Sequence, residues 1–185
     1  MNLSNQEVEA LKKALPLMPA EEKLEVLTLL DEHERRKNIK GARTSLLSFA
    51  HHVYPGFKEG AHHRKLAKIF EDVVAGHKKR VIINIAPRMG KSEFSSYLFP
   101  AWFLGNFPDK KIIMGTHTAS LSEDFGRRVK NLVDADEYEQ VFPKTVLAED
   151  QKAAGKWSTG AGGQDRKSTR LNSSHVSESR MPSSA

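Results

Sequence analysis

The chain has 185 residues, 38% hydrophobic and 28% charged, which suits one modest domain with some extra length, and its formal net charge is +6. It contains no cysteine, which excludes a disulfide framework and any thiolate zinc site. No run approaches the roughly 18 apolar residues of a membrane helix, and the opening MNLSNQEVEALKK lacks the apolar stretch of a signal peptide. These features point to a cytoplasmic protein with no membrane partner. The positive balance permits a polyanion such as DNA, although the cations are scattered and serve equally as solvated surface.

From Gln6 to Lys37 the pattern is that of a helical pair. Val8, Leu11 and Leu15 recur at helical spacing, Pro16 and Pro19 punctuate, and Leu24, Leu27 and Leu30 form a second stripe widened by Val26 and Leu29. That stripe either packs on its own domain or meets a partner. Glu34 to Lys37, followed by Asn38 and Gly41, closes the second helix with cations in its last turn, and a linker is expected over Lys40 to Thr44. The expected division is a helical amino-terminal segment over 1–40 and an α/β domain over 45–164.

Beyond Ser45 the elements alternate. Leu66 to Ala75 predicts a helix ended by Gly76, and the apolar, β-branched run Val81 to Ile85 predicts a buried parallel strand. A loop follows over Ala86 to Ser92, then a helix from Glu93 to Leu104 ending near Gly105. Lys111 to Gly115 predicts a second strand, and the next helix is capped by Ser120 with Glu123. Strand, loop, helix, strand, helix is an α/β signature.

The loop carries the chemistry. A phosphate chain needs inward-facing backbone amides, a helix N-terminus behind them, a mobile cation and a hydroxyl for magnesium. Gly90 lets the backbone approach, Lys91 reaches the β and γ oxygens, and Ser92 is placed to ligate Mg²⁺. In GxxxxGK[ST] the first glycine falls on Ile85, so Ala86 and Pro87 shape the loop instead. The paired histidines at 51, 52 and 62, 63 read poorly as a zinc site, because neighbours in sequence do not share a helix face and no HExxH occurs.

The run APRMGKSEFSSYLFPAWFLGNFPDKKIIMGTHTASLSEDFGRRVKNL resembles the large-subunit family of tailed-phage terminases, whose phosphate loops commonly lack the first glycine and carry Pro-Arg before Gly-Lys-Ser/Thr. The resemblance continues through Phe142-Pro143-Lys144 and Ala153 to Thr159 to Gly162-Gly163, covering about Leu46 to Gln164. It implies an ASCE-type P-loop ATPase with a parallel sheet, using ATP and Mg²⁺. It further implies a homo-oligomeric ring at the procapsid portal in the host cytoplasm, driving double-stranded DNA with the portal protein and the small terminase subunit as partners. Lys91 and Arg88 become the catalytic residues, Arg88 as a cis arginine finger or else a solvent-facing loop cation. Pro87, Arg88, Met89, Gly90, Lys91 and Ser92, with Tyr54 and His63, become the nucleotide contacts, and Ser92 the Mg²⁺ ligand. Tyr54, Pro55, Phe57 and His63 lie where that family contacts adenine, with core packing or surface as the rival readings. Arg127, Arg128 and Lys130 serve DNA, a neighbouring subunit or only solvent. A helicase of the same chemistry, or a non-catalytic helical adaptor with an accidental GKS, are the other readings of the chain.

No Walker B strand is found: Thr145 to Asp150 is too short in its apolar part, and Leu132 to Glu137 sits in a helical stretch. Nor can nuclease carboxylates be assigned, so a truncated motor that binds nucleotide poorly and hydrolyses it hardly at all is expected. The composition changes after Gln164 to Ser, Arg and Asn. Back-translated, Asp165 to His175 and Ser179 to Ala185 resemble two stretches of a widely used sequencing adapter, with an index between them. An adapter-derived disordered tail with no packed position is therefore expected over 165–185, a genuine Ser-rich disordered tail being the other reading.

Overall fold

The computed structural model of the chain describes residues 4–153, 156–161 and 164–169. Helix α1 spans Asn5–Ala14 and is opened by Ser4, whose hydroxyl accepts from the Glu7 amide at 3.3 Å while the Glu7 carboxylate accepts from the Ser4 amide at 2.7 Å. This reciprocal capping satisfies two of the amides a helix start leaves unbonded. A 3-10 turn over Leu15–Leu17 leads past Pro19 into α2, Ala20–Thr44. Lys12 donates to Glu34 at 2.9 Å across the pair.

Two expectations change here. The linker over Lys40 to Thr44 is helix, because α2 runs unbroken to Thr44 and carries Ala42 into full burial, where its carbonyl accepts the Trp102 indole N–H at 2.9 Å. Gly41 therefore sits inside a helix, stabilised by tertiary packing that overrides its weak propensity. The leucine stripe of α2 is mostly uncovered: Leu30 is buried, but Leu24 is 70% exposed and Leu27 and Leu29 are exposed as well. The ten residues of α1, with Val8 as its buried side chain, are too short to cover a helix of 25.

The core gathers around four further helices, α3 (Leu46–Val53), α4 (Ala61–Val74), α6 (Phe99–Asn106) and α8 (Asp136–Val141). Phe49 meets Tyr138 edge-on with ring centroids 6.0 Å apart and lies 5.9 Å from Phe142. Each such buried ring contributes about 1.5–3 kcal/mol, and Tyr138 places its hydroxyl without loss by donating to the Ala101 carbonyl at 2.9 Å. Burial pushes that phenol well above its ordinary range. The 76–90 region enters from α4 through Gly76, at φ 79. A short α5, Lys91–Glu93, then continues through a π turn, Phe94–Leu98, into α6.

Strand β1, Lys111–Thr116, follows, then α7, Ala119–Val133. The cap of α7 is Thr118, whose hydroxyl accepts from the Leu121 amide at 3.4 Å, and not Ser120, which donates to Thr118 instead. Strands β2 (Leu147–Ala153), β3 (Lys156–Thr159) and β4 (Gln164–Thr169) complete a four-stranded sheet in the order β1-β4-β3-β2. Trp157 of β3 is fully buried and donates its indole N–H to the Gly126 carbonyl of α7 at 3.2 Å, fixing the sheet to that helix.

The architecture is thus a mixture of helix and sheet, but it departs from an all-parallel sheet. Among the described residues only β1 and β4 pair in parallel, with Lys111 opposite Gln164 and Thr116 opposite Thr169, while β2-β3 and β3-β4 are antiparallel. Val81 to Ile85 is not a strand: these residues have no regular structure, and Ile82 is 97% exposed. The expectation that nothing after Gln164 has a packed position also fails for 165–169, which lie within β4. Strand pairing is made by backbone amides and carbonyls, so a polar sequence without Pro can enter a ladder whatever its composition suggests. The rest of the adapter-like stretch lies outside the described residues.

Candidate functional site

Pro87 and Arg88 form a turn, and the helix behind it begins with the Phe94 amide donating to the Gly90 carbonyl at 2.9 Å. Two residues in this turn have left-handed backbone, Gly90 at φ 72 and Arg88 at φ 63. For glycine that conformation is free of strain, whereas for arginine it disfavours the fold by roughly 1 kcal/mol and is held only by its surroundings. Lys91 and Ser92 are exposed at the helix start, and the Lys91 ammonium makes no hydrogen bond or ion pair among the described residues. The Lys91 carbonyl accepts from the Ser95 hydroxyl at 2.8 Å.

Beside this loop lies a cleft of about 300 Å³ lined by Tyr54, Phe57, His62, His63, Arg88, Met89, Gly90, Glu93 and Phe94. Of the residues singled out in the sequence, Tyr54, Phe57, His63, Arg88, Met89 and Gly90 are brought together here, while Pro55, Pro87, Lys91 and Ser92 do not line it. His63 organises the wall. It stacks on Phe94 with centroids 5.1 Å apart and 12° between planes, and lies 5.0 Å from Phe57. A Cβ built on Gly90 would come within 2.9 Å of His63 Nε2, so the ring closes the space that only glycine leaves.

The hydrogen bonds assign the protons of this pair. The Gly60 amide donates to His63 Nδ1 at 3.0 Å, which leaves the proton of the neutral ring on Nε2. That Nε2–H faces His62 Nε2 at 3.0 Å and donates to it. Burial, with His62 beside it, lowers the His63 pKa below its ordinary value, against a smaller opposing pull from Glu59. Neighbouring histidines do therefore approach each other, contrary to the reading from helix faces. Among the described residues no group of three or more His, Cys, Asp or Glu gathers to hold a metal. His51 instead meets Glu59 at 3.0 Å, and His52 meets the Glu137 carbonyl at 3.1 Å.

Sequence reasoning singled out Arg128 but missed its contacts behind the helix that follows the loop. Glu93 accepts from Arg128 of α7 at 2.5 Å, and the Arg128 guanidinium lies 4.3 Å from the Tyr97 ring centroid. Arg127, grouped with it in the sequence, is bound to Asp124 on its own helix. The i, i+4 spacing of Glu93 and Tyr97 was the available signal, but their partner lies 35 residues away. No protein-family model, curated protein or solved structure matches this chain.

Proposed function

We propose that Pro87 to Ser92 form the phosphate-binding loop of an ATPase of the terminase large-subunit type. In its complete form such a protein uses ATP and Mg²⁺ to drive double-stranded DNA into a procapsid. One observation carries the reading. Tyr54 and His63, chosen as nucleotide contacts from a segment some thirty residues upstream, share a cleft with Arg88, Met89 and Gly90.

In this reading the polyphosphate lies along the helix start. Gly90 admits its close approach, the Lys91 ammonium neutralises terminal oxygens, and Arg88 reaches the outermost phosphate. His63 and Tyr54 offer ring surface to the base. The exposed hydroxyl of Ser92 suits Mg²⁺, a hard cation that takes few protein ligands and keeps water and phosphate oxygens. Bound there, the ion would supply charge neutralisation between phosphates.

The rival reading, a non-catalytic adaptor, is favoured by the unpaired Val81 to Ile85, since a phosphate loop ordinarily hangs from a strand. Calorimetric titration of the 185-residue chain with ATP and Mg²⁺ separates the two. Weak binding is expected, weakened further by roughly tenfold to a hundredfold in Lys91→Ala, the scale of one lost charge-assisted hydrogen bond. Equal affinity in wild type and Lys91→Ala would favour the adaptor.

A further inference from the structure

Arg128 reaches from α7 to the helix that follows the loop. Its guanidinium donates to Glu93 at 2.5 Å, lies over the Tyr97 ring at 4.3 Å and stands 5.9 Å from the Phe125 ring. Glu93 immediately precedes the π turn Phe94–Leu98, and Tyr97 lies within it.

The turn has a cause in the sequence. Pro100 has no amide to offer the Ser96 carbonyl, and its ring crowds the turn before it. The chain responds by closing the Phe99 amide onto the Phe94 carbonyl, five residues back. A widened turn, separated from a glycine with positive φ by only the three residues of α5, is a weak place in the helix that follows the loop. Arg128 spans it, gripping one residue before the widening and one inside it. The helix that carries Arg128 leaves β1 through the Thr118 cap and packs on β1 and β4.

We propose that Arg128 is a positioning residue that clamps the π turn and so holds Gly90 to Ser92 in the conformation that receives phosphate. The ligand rests on the phosphate-loop reading above; the mechanics do not. Arginine suits the task because its planar head can accept a ring on its face while donating at its edge, which lysine cannot do in both directions at once.

The test compares the 185-residue wild type with Arg128→Ala, Arg128→Lys and the charge-swapped pair Glu93→Arg with Arg128→Glu. Amide exchange and ATP·Mg affinity are measured on each. Arg128→Ala is expected to speed exchange of the Phe94 amide, the first bond of the helix, by about tenfold, the scale of one coupled pair in contact. Amides inside α4, such as Ala67 and Phe70, should hold their rates. The lysine variant should fall between, and the swapped pair should recover most of the loss. Affinity for ATP·Mg should drop in parallel with Phe94 protection. Unchanged Phe94 exchange in Arg128→Ala, or equal acceleration in α4, would overturn the proposal, the latter by making the residue a general stabiliser. If the wild type does not bind ATP while Arg128→Ala still frees Phe94, the ATP reading is refuted and the clamp stands.

Discussion

Two short segments, Val81 to Ile85 and Lys111 to Thr116, read alike: each is a β-branched apolar run following a cluster of cations or turn residues. Only the second is a strand. β1 pairs along its length with β4, which β3 joins to a sheet seated on α7 by Trp157, while 81–85 has no ladder partner among the described residues and exposes Ile82 almost completely. The difference teaches that a strand is a property of its neighbour as much as of its own residues, since unpaired amides gain nothing from an apolar sequence. It also locates the support of the loop at 86–92. That support comes from side chains behind and beside it, Arg128 and His63, and not from a paired strand before it.

Removing the seat of the sheet should have the largest effect. Trp157→Ala deletes a fully buried ring and its bond to Gly126, and about 3–5 kcal/mol of stability is expected to go with it. In denaturant unfolding with amide exchange, β1 should become as unprotected as 81–85. A loss within the roughly 0.5 kcal/mol of an ordinary surface change would mean that β1 is held by something other than the α7 contact.

A smaller effect concerns the loop side alone. The ordinary histidine value is 6.5, and folded His63 titrates below it because burial and His62 oppose the charge. Above that pH neither state binds the proton and the ring contributes no pH dependence. As the pH falls below 6.5 the unfolded chain takes up a proton that the folded ring refuses, so stability declines until the folded value is reached. Protonation at Nδ1 also breaks the Gly60 bond. His62 and Glu59 act on the ring, Arg88 and Glu93 share its cleft, and the sign follows from burial together with His62. Titration of the His63 ring by NMR should give a midpoint below 6.5, with Gly90 shifting in step and β1 indifferent. A midpoint at or above the ordinary value would remove His63 from the wall of the cleft. The smallest effect is expected from Ile82→Ser, within about 0.5 kcal/mol of wild type; a loss of several kcal/mol would show that 81–85 is packed after all.

Local signals carried much of this structure. Pro16 and Pro19 separate α1 from α2 as spacing requires, Gly76 ends α4 with the positive φ that favours glycine, and Lys111 to Gly115 falls within β1. What was illegible depended on partners distant in sequence. Gly41 fails to stop α2 because Ala42 is drawn into the core beneath Trp102, 60 residues on. The short helices α3 and α8 form a buried pair through Phe49 and Tyr138 that neither segment announces alone. The site divides the same way. Gly90, Lys91 and Ser92 were marked by their own chemistry, whereas Glu93 and Tyr97 acquire meaning only from Arg128 on another helix.

The central claim, that the turn at Gly90 to Ser92 receives phosphate, is tested most directly by amide chemical shifts of the 185-residue chain during titration with ATP and Mg²⁺. The account predicts that Gly90, Lys91 and Ser92 move first and furthest, that His63 and Tyr54 follow, and that inorganic phosphate reproduces the loop shifts without those of the two rings. Shifts that spare the loop, or that appear only at the exposed leucines of α2, would contradict it.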